Sequence, residues 1–309
     1  MEQNFGGNAM AIDPYITRLE QQLQAIESQV VQFLNDSTIE KRYKDPFEEE
    51  EIIFIANDYY WGEDDESQKR QQLKLLQLYS SWLEHLQLIF QNASKETRKQ
   101  ISDTHQNMMK WIEKENGWNV PSTIGEAKSN FKKVIQTYYQ LLQIFKNSHK
   151  TEIILVPDTN ALIKCADLSR YADVAGLGTF TVVFIPTVLS ELDKLKRDHR
   201  DQDFRNKVDK VIRYIKGLRQ QGNIREGVTV HKTITVKMIA QDPNFEKTLG
   251  WLNPTNADDR IIASTLEIQQ SEPSNTVILV TSDINHQNKA EMANLPYAEP
   301  PKLLESPES

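Results

Sequence analysis

Two periodicities divide the chain. Up to about residue 148, apolar side chains recur three and four positions apart, as on one face of a helix. Beyond it, short and almost uninterrupted apolar runs alternate with helical stretches. In the first part, Asp13-Pro14 reads as a cap followed by proline at the first helical position. Ile16, Leu19, Leu23, Ile26, Val30 and Phe33 then form one stripe. The charged stretch 36–50 predicts a solvated helix face, and IIFIANDYYW (52–61) predicts packing into the core. Further stripes follow over Leu73, Leu76, Leu83, Leu86 and Phe90, and over Ile101, Met108 and Trp111 or Ile112 behind a Ser94 cap. Thr123 and Glu126 have capping-box spacing and precede Phe131, Val134, Tyr138, Leu141 and Phe145. Residues 1–148 thus predict an all-helical domain of four or five helices. It carries no catalytic constellation. Two roles fit it equally: a module for a protein partner or a homo-oligomer, and a stabilising extension.

In the second part, 153–156, 180–185 and 276–280 are apolar runs typical of strands buried on both faces. VTVHKTITV (228–236) alternates like a strand or hairpin. Helical patterns cover about 160–172, the stretch from Pro186, 204–220 and 257–268. Strands alternating with helices predict an α/β domain over 149–295: a mostly parallel sheet in a three-layer α/β/α arrangement. The Gly- and Asn-rich start and the Pro- and Ser-rich tail 296–309 predict extended or disordered chain.

Composition narrows the class. There is one cysteine, Cys165, so a disulfide framework is excluded and a reducing, cytoplasmic setting is expected. Cys165 reads as a small packing residue. No apolar run approaches the ~20 residues of a membrane span. The six histidines are scattered, with no zinc-ligand spacing. The net charge is −8, a mild argument against broad coating of nucleic acid.

The candidate chemistry is acidic. Asp158 follows the first buried strand, at the edge where open α/β sheets bind ligands. Alone, it is explained better as a helix cap. Three further acids reach equivalent places. Glu191 lies about one turn into the helix after the second strand, Asp258 and Asp259 open the helix ADDRIIASTLEI, and Asp283 follows the third strand. A buried like-charge cluster is costly unless neutralised. The pattern places no lysine among these acids, so a hard divalent cation is the expected neutraliser, and all-oxygen ligands favour Mg²⁺ or Mn²⁺. Metal-assisted phosphodiester hydrolysis suits such a site.

VPDTNALI (156–163), PTVLSELDKLK (186–196), NADDRIIASTL (256–266) and LVTSDINHQNKA (279–290) resemble, in order and spacing, the motifs of PIN domains, a nuclease fold. The resemblance covers about 150–293 and nothing before it. It implies a metal-dependent endoribonuclease with the quartet Asp158, Glu191, Asp258 and Asp283. Asp259 is the adjacent candidate in the third motif. Asn160 and Asn285 match positions that orient ligands or a metal-bound water. Thr281 or Ser282 is placed to donate to the carboxylates. Toxins, antiviral defence effectors and RNA-processing enzymes are among the roles such an enzyme could serve.

Residues 194–219 hold ten Lys/Arg and four Asp, a local balance of +6. Lys194, Lys196, Arg197 and Arg200 come first. Lys210, Arg213 and Lys216 then recur at helical spacing and, with Arg205 or Lys207, can line one face. A solvated helix face and a phosphate-binding face are equally good explanations beside an acidic site. Few aromatics interleave, so this stretch itself does not predict base stacking. Two alternatives keep the fold: a structure-specific DNA nuclease, and a non-catalytic PIN-like module that binds nucleic acid or protein. A haloacid-dehalogenase-type phosphatase is excluded, because it needs a second Asp where Asn160 stands.

Overall fold

A computed structural model describes residues 13–41, 58–117, 120–146 and 151–302. Contacts divide the chain into two compact units: Leu19–Asn147, and Ser148–Ser309 together with Met1–Arg18. Among the described residues the helices of the first part are α1 (Tyr15–Asn35), α2 (Glu66–Ile89), α3 (Lys95–Ile112) and α4 (Ile124–Lys146). All six residues of the α1 stripe are buried. An aromatic cluster joins α2, α3 and α4. Tyr79 Oη lies 2.8 Å from Tyr138 Oη and 3.1 Å from His105 Nδ1, and Trp82 meets Tyr138 edge-on at 4.8 Å. The Trp82 indole donates to the Leu19 carbonyl, so its polar tip is satisfied inside the core.

The helical phase differs from expectation in places. In α2 the buried residues are Leu75, Tyr79, Trp82, Leu83, His85, Leu86, Leu88 and Ile89, whereas Leu73 is exposed. In α4, Ile135 and Leu142 are buried while Val134 and Phe145 are only partly so. Ile112, not Trp111, completes the α3 stripe. Glu126 reaches the backbone and hydroxyl of Ser122, one residue before the expected capping partner. The charged stretch after α1 is not a helix at 39–41. It forms β1 (Ile39–Lys41), which pairs antiparallel with β2 (Tyr59–Trp61). Residues 42–57, and with them most of the expected apolar segment 52–61, lie outside the described residues. Gly62 closes this pair: its N–H donates to Thr38 O at 2.9 Å, and a side chain there would collide with the Thr38 hydroxyl.

A buried cation fixes the end of α3. Lys114, at φ 51°, stands over the rings of Phe33 and Trp61 at 5.2 and 5.8 Å and forms an ion pair with Asp64.

The second unit is the expected α/β domain. In chain order its elements are β3 (Ile153–Pro157), α5 (Thr159–Lys164), α6 (Ala172–Ala175), β4 (Phe180–Phe184), α7 (Pro186–Asp198) and α8 (Gln202–Gln221). They continue with β5 (Val228–Val230), β6 (Ile234–Met238), α9 (Ala257–Ser271), β7 (Thr276–Val280), α10 (Ile284–Met292) and β8 (Tyr297–Ala298). The described sheet has the order β5-β6-β4-β3-β7-β8, parallel except for the β5–β6 hairpin. The helix expected over 160–172 is broken. Cys165 is extended, and Asp167 caps a new 3₁₀ turn at Leu168–Tyr171. The tail expected to be extended or disordered from 296 contributes β8, because Leu279 N–H and Thr281 N–H donate to Pro296 O and Ala298 O across the sheet edge. Residues 303–309 and the expected disordered start at 1–12 lie outside the described residues.

Register positions the site. β3 runs beside β7 with Pro157 opposite Val280, so Asp158 and Thr281 leave the sheet side by side. The Asp158 N–H donates to Val280 O at 3.0 Å. The chain steps from β3 to β4 on one side and later returns from β6 to β7 on the other. The carboxyl ends of β3 and β7 therefore flank a topological switch point, where open α/β sheets have their crevice.

Candidate active site

Each candidate acid is placed by the start of a helix. Asp158 caps α5, its Oδ1 accepting from Ala161 N–H at 2.6 Å, and it is 1% exposed. Its other oxygen accepts from the Thr281 hydroxyl at 2.6 Å and lies 3.2 Å from His286 Nδ1. Glu191, one turn into α7, accepts from the Thr159 hydroxyl. Asp258 and Asp259 open α9 behind an Asn256 cap. Asp283 caps α10, accepting from the N–H groups of Asn285 and His286. Asp158 and Asp283 are themselves caps and Asp258 and Asp259 lie in a first turn, where the partial positive charge of a helix N-terminus favours carboxylates.

Two cations that sequence reasoning missed lie among these acids. His286 is buried and bridges two of them, with Nδ1 near Asp158 and Nε2 at 3.0 Å from Asp258 Oδ1. Lys289 lies 3.3 Å from Asp258 Oδ2 and 2.7 Å from Asp259 Oδ1. The expectation that no lysine stands among the acids is therefore corrected. The signal was present in the sequence: positions 286 and 289 follow the Asp283 cap at three and six residues, on one face of the short helix α10.

The electrostatics follow. Burial pushes the Glu191 carboxyl up, and the charges of Asp158 and Asp258 push the same way, outweighing the Thr159 hydroxyl and His286. Burial works against the Asp258 carboxylate, but His286 and Lys289 hold it below the usual range. Burial alone would lower His286, yet Asp158 and Asp258 together raise it. Burial likewise opposes the Lys289 ammonium, which Asp259 and Asp258 raise. A raised histidine contributes stability through its charged form. That contribution is complete below the unfolded-chain value near 6.5 and is lost as pH rises through the folded value. We therefore expect the stability advantage of the parent over His286→Gln, measured by urea unfolding, to be largest near pH 5.5 and to shrink toward pH 8.5.

The remaining candidates divide. Thr281 donates to Asp158, and its oxygen accepts from the Asp283 N–H at 3.0 Å. Ser282 accepts from Lys164 Nζ at 2.6 Å and makes no bond to a carboxylate of the quartet. Asn160 and Asn285 are exposed at the first turns of α5 and α10. Asp259 is buried against the Asn253 N–H and Lys289, whereas Asp258 is the more open of the doublet. Of the basic residues, Lys196 and Arg213 both pair with Asp209. Lys194, Arg197, Arg200, Lys210 and Lys216 are exposed. Lys194 stands one turn beyond Glu191 on the same helix, and so on the same face. Cys165 is buried, and burial pushes its thiol up, as for a packing residue.

The donor set suits a hard divalent cation in chemistry: oxygen ligands, with a Glu191 carboxyl raised by burial and by neighbouring charge that a cation would relieve. In the arrangement seen, no three His, Cys, Asp or Glu side chains among the described residues converge as ligands, and the acids' nearest basic partners are His286 and Lys289.

Residues 155–299 match the PIN domain family, so this part of the chain is a PIN domain, a class made up in general of nucleases. The match takes in β8, beyond the expected limit. No curated protein matches the chain. No described helix is long and apolar enough to cross a membrane.

Proposed function

We propose that the protein is a Mg²⁺- or Mn²⁺-dependent endoribonuclease, with toxin or antiviral defence effector as roles consistent with that chemistry. The observation that supports this best is that Asp158, Glu191 and Asp258 each follow a different strand at one edge of the sheet, with Asp158 and Asp258 both against His286 and Glu191 held by Thr159 beside Asp158. Asp158, Glu191, Asp258 and Asp283 would hold the cation, which supplies an activated water and stabilises the attacking and leaving oxygens. The protein contributes position. Thr281 orients the Asp158 carboxylate, Thr159 orients Glu191, and Lys289 lies against both Asp258 and Asp259. Lys194 and Arg197 extend from α7 beside the acids and are suited to contact the flanking phosphates.

The test is incubation of the full-length protein with mixed single-stranded and hairpin RNA and with matched DNA, in Mg²⁺, Mn²⁺ or chelator. Cutting of RNA only with metal supports the reading. Cutting of DNA alone replaces it with a DNA nuclease. Removing Lys194 by Lys194→Ala is expected to weaken RNA binding similarly across sequences and to lower the salt slope of log K by about one contact, ~0.7 for a single strand. The same change at Lys196, whose charge is engaged by Asp209, is expected to move the slope less.

One observation favours a second reading. His286 and Lys289 already give the acids polar partners without a metal, which suits a PIN-like module that binds but does not cut. Absence of cutting with any nucleic acid in either metal would select it.

A further inference from the structure

Among the exposed large apolar side chains of the described residues, one is aromatic: Trp251, 37% exposed. It stands on the segment between β6 and α9 that ends at the acids. Leu249 and Leu252 on either side are buried, and Leu252 N–H closes a turn onto Leu249 O at 3.1 Å. Two residues beyond Trp251, Asn253 N–H donates to Asp259 Oδ2 at 2.9 Å. The Asn253 side chain then accepts from the N–H and hydroxyl of Thr255, and Asn256 caps α9. The indole is thus carried on a braced turn, no more than roughly 7 Å of backbone from a residue bonded to the acid doublet. A second exposed apolar side chain, Ile284 at 72%, directly follows Asp283.

Both residues stand on segments that lead into the acids, and each is a single exposed apolar side chain. Two isolated side chains are far below the area of a protein interface. An indole face held open beside an acidic hydrolytic site suits a flat aromatic ring of the substrate. In a duplex the faces of the bases are already stacked on each other. Only an unpaired nucleotide offers one.

We propose that Trp251 is the stacking platform for an unpaired base next to the scissile phosphate, with Ile284 as a second apolar contact. This rests on the nuclease reading of the same site. It places the base contact on the α9 side of the acids, away from the basic helix α8, where few aromatics interleave.

The test is fluorescence anisotropy of a short labelled single-stranded RNA and its duplex, with full-length protein in chelator so that nothing is cut. Trp251→Ala is expected to weaken single-strand binding about tenfold, and Trp251→Phe, which keeps a ring, by no more than about twofold. Duplex binding should be unchanged in both. Unchanged single-strand binding by Trp251→Ala, an equal loss on the duplex, or no single-strand binding by the parent would each overturn the proposal. Cleavage in Mg²⁺ is scored separately. Parent cleavage with no effect of Trp251 removes the platform and keeps the nuclease. A Trp251-dependent single-strand affinity without cleavage keeps the platform and removes the hydrolytic reading.

Discussion

Asp158→Asn is expected to reduce metal-dependent RNA cleavage by about a thousandfold or more, the equivalent of ~4 kcal/mol of transition-state stabilisation. The substitution is close to isosteric. The amide oxygen can still accept from Ala161 N–H, so the cap of α5 persists. What disappears is the negative charge of the most buried acid in the cluster, together with the acceptor that receives the Thr281 hydroxyl and faces His286. A cation that needs several carboxylates loses the central one. The measurement is kcat/KM on a fluorogenic RNA, with circular dichroism and thermal unfolding of the same preparation. Activity within tenfold of the parent would show that Asp158 acts only as a cap. Thr281→Val removes a hydroxyl that orients the carboxylate but leaves its charge. We expect a smaller loss there, about tenfold.

The largest effect on stability is expected in the helical unit. Asp64→Ala should destabilise it by about 3 kcal/mol and lower its unfolding temperature by roughly 10 °C. The Lys114 side chain is 4% exposed and its carboxylate partner 13% exposed. Removing Asp64 leaves an ammonium buried between Phe33 and Trp61 with no counter-charge. Replacing both partners, as in Asp64→Ala with Lys114→Met, should recover most of the loss, since an apolar side chain suits the same aromatic slot. Differential scanning calorimetry of the single and double variants checks this. Equal loss in both would mean that the pair itself, rather than an orphaned charge, was stabilising.

The α/β domain is legible in the sequence because its signals are local. Uninterrupted apolar runs become β3, β4 and β7, and each is followed by a helix. Asp158 and Asp283 are legible because a cap follows β3 and β7, and Glu191, Asp258 and Asp259 because they fall early in helices that open at the same sheet edge. What was not legible depends on distance through space. His286 and Lys289 are unremarkable as isolated residues. They become part of the site only when the β3–β7 register brings α10 against the first turns of α5 and α9. The phase of α2 is not legible, because leucine occupies both of its faces and periodicity does not distinguish exposed Leu73 from buried Leu75. The strand β8 is two residues long and leaves no periodic signal. The basic stretch was legible as charge. Which of its cations are engaged depends on Asp209, which faces Lys196 across the turn between α7 and α8.

The account turns on whether the carboxylates receive a metal or are satisfied by His286 and Lys289 alone. The most direct measurement is a titration of isotopically labelled protein with Mn²⁺, following the His286 ring and Lys289 side-chain resonances, beside Asp158→Asn. The account predicts that small additions of Mn²⁺ broaden both residues first, that Mg²⁺ competes the broadening away, and that Asp158→Asn requires far more metal. Resonances of His286 and Lys289 that stay sharp while Mn²⁺ broadens acidic surface sites elsewhere would contradict it.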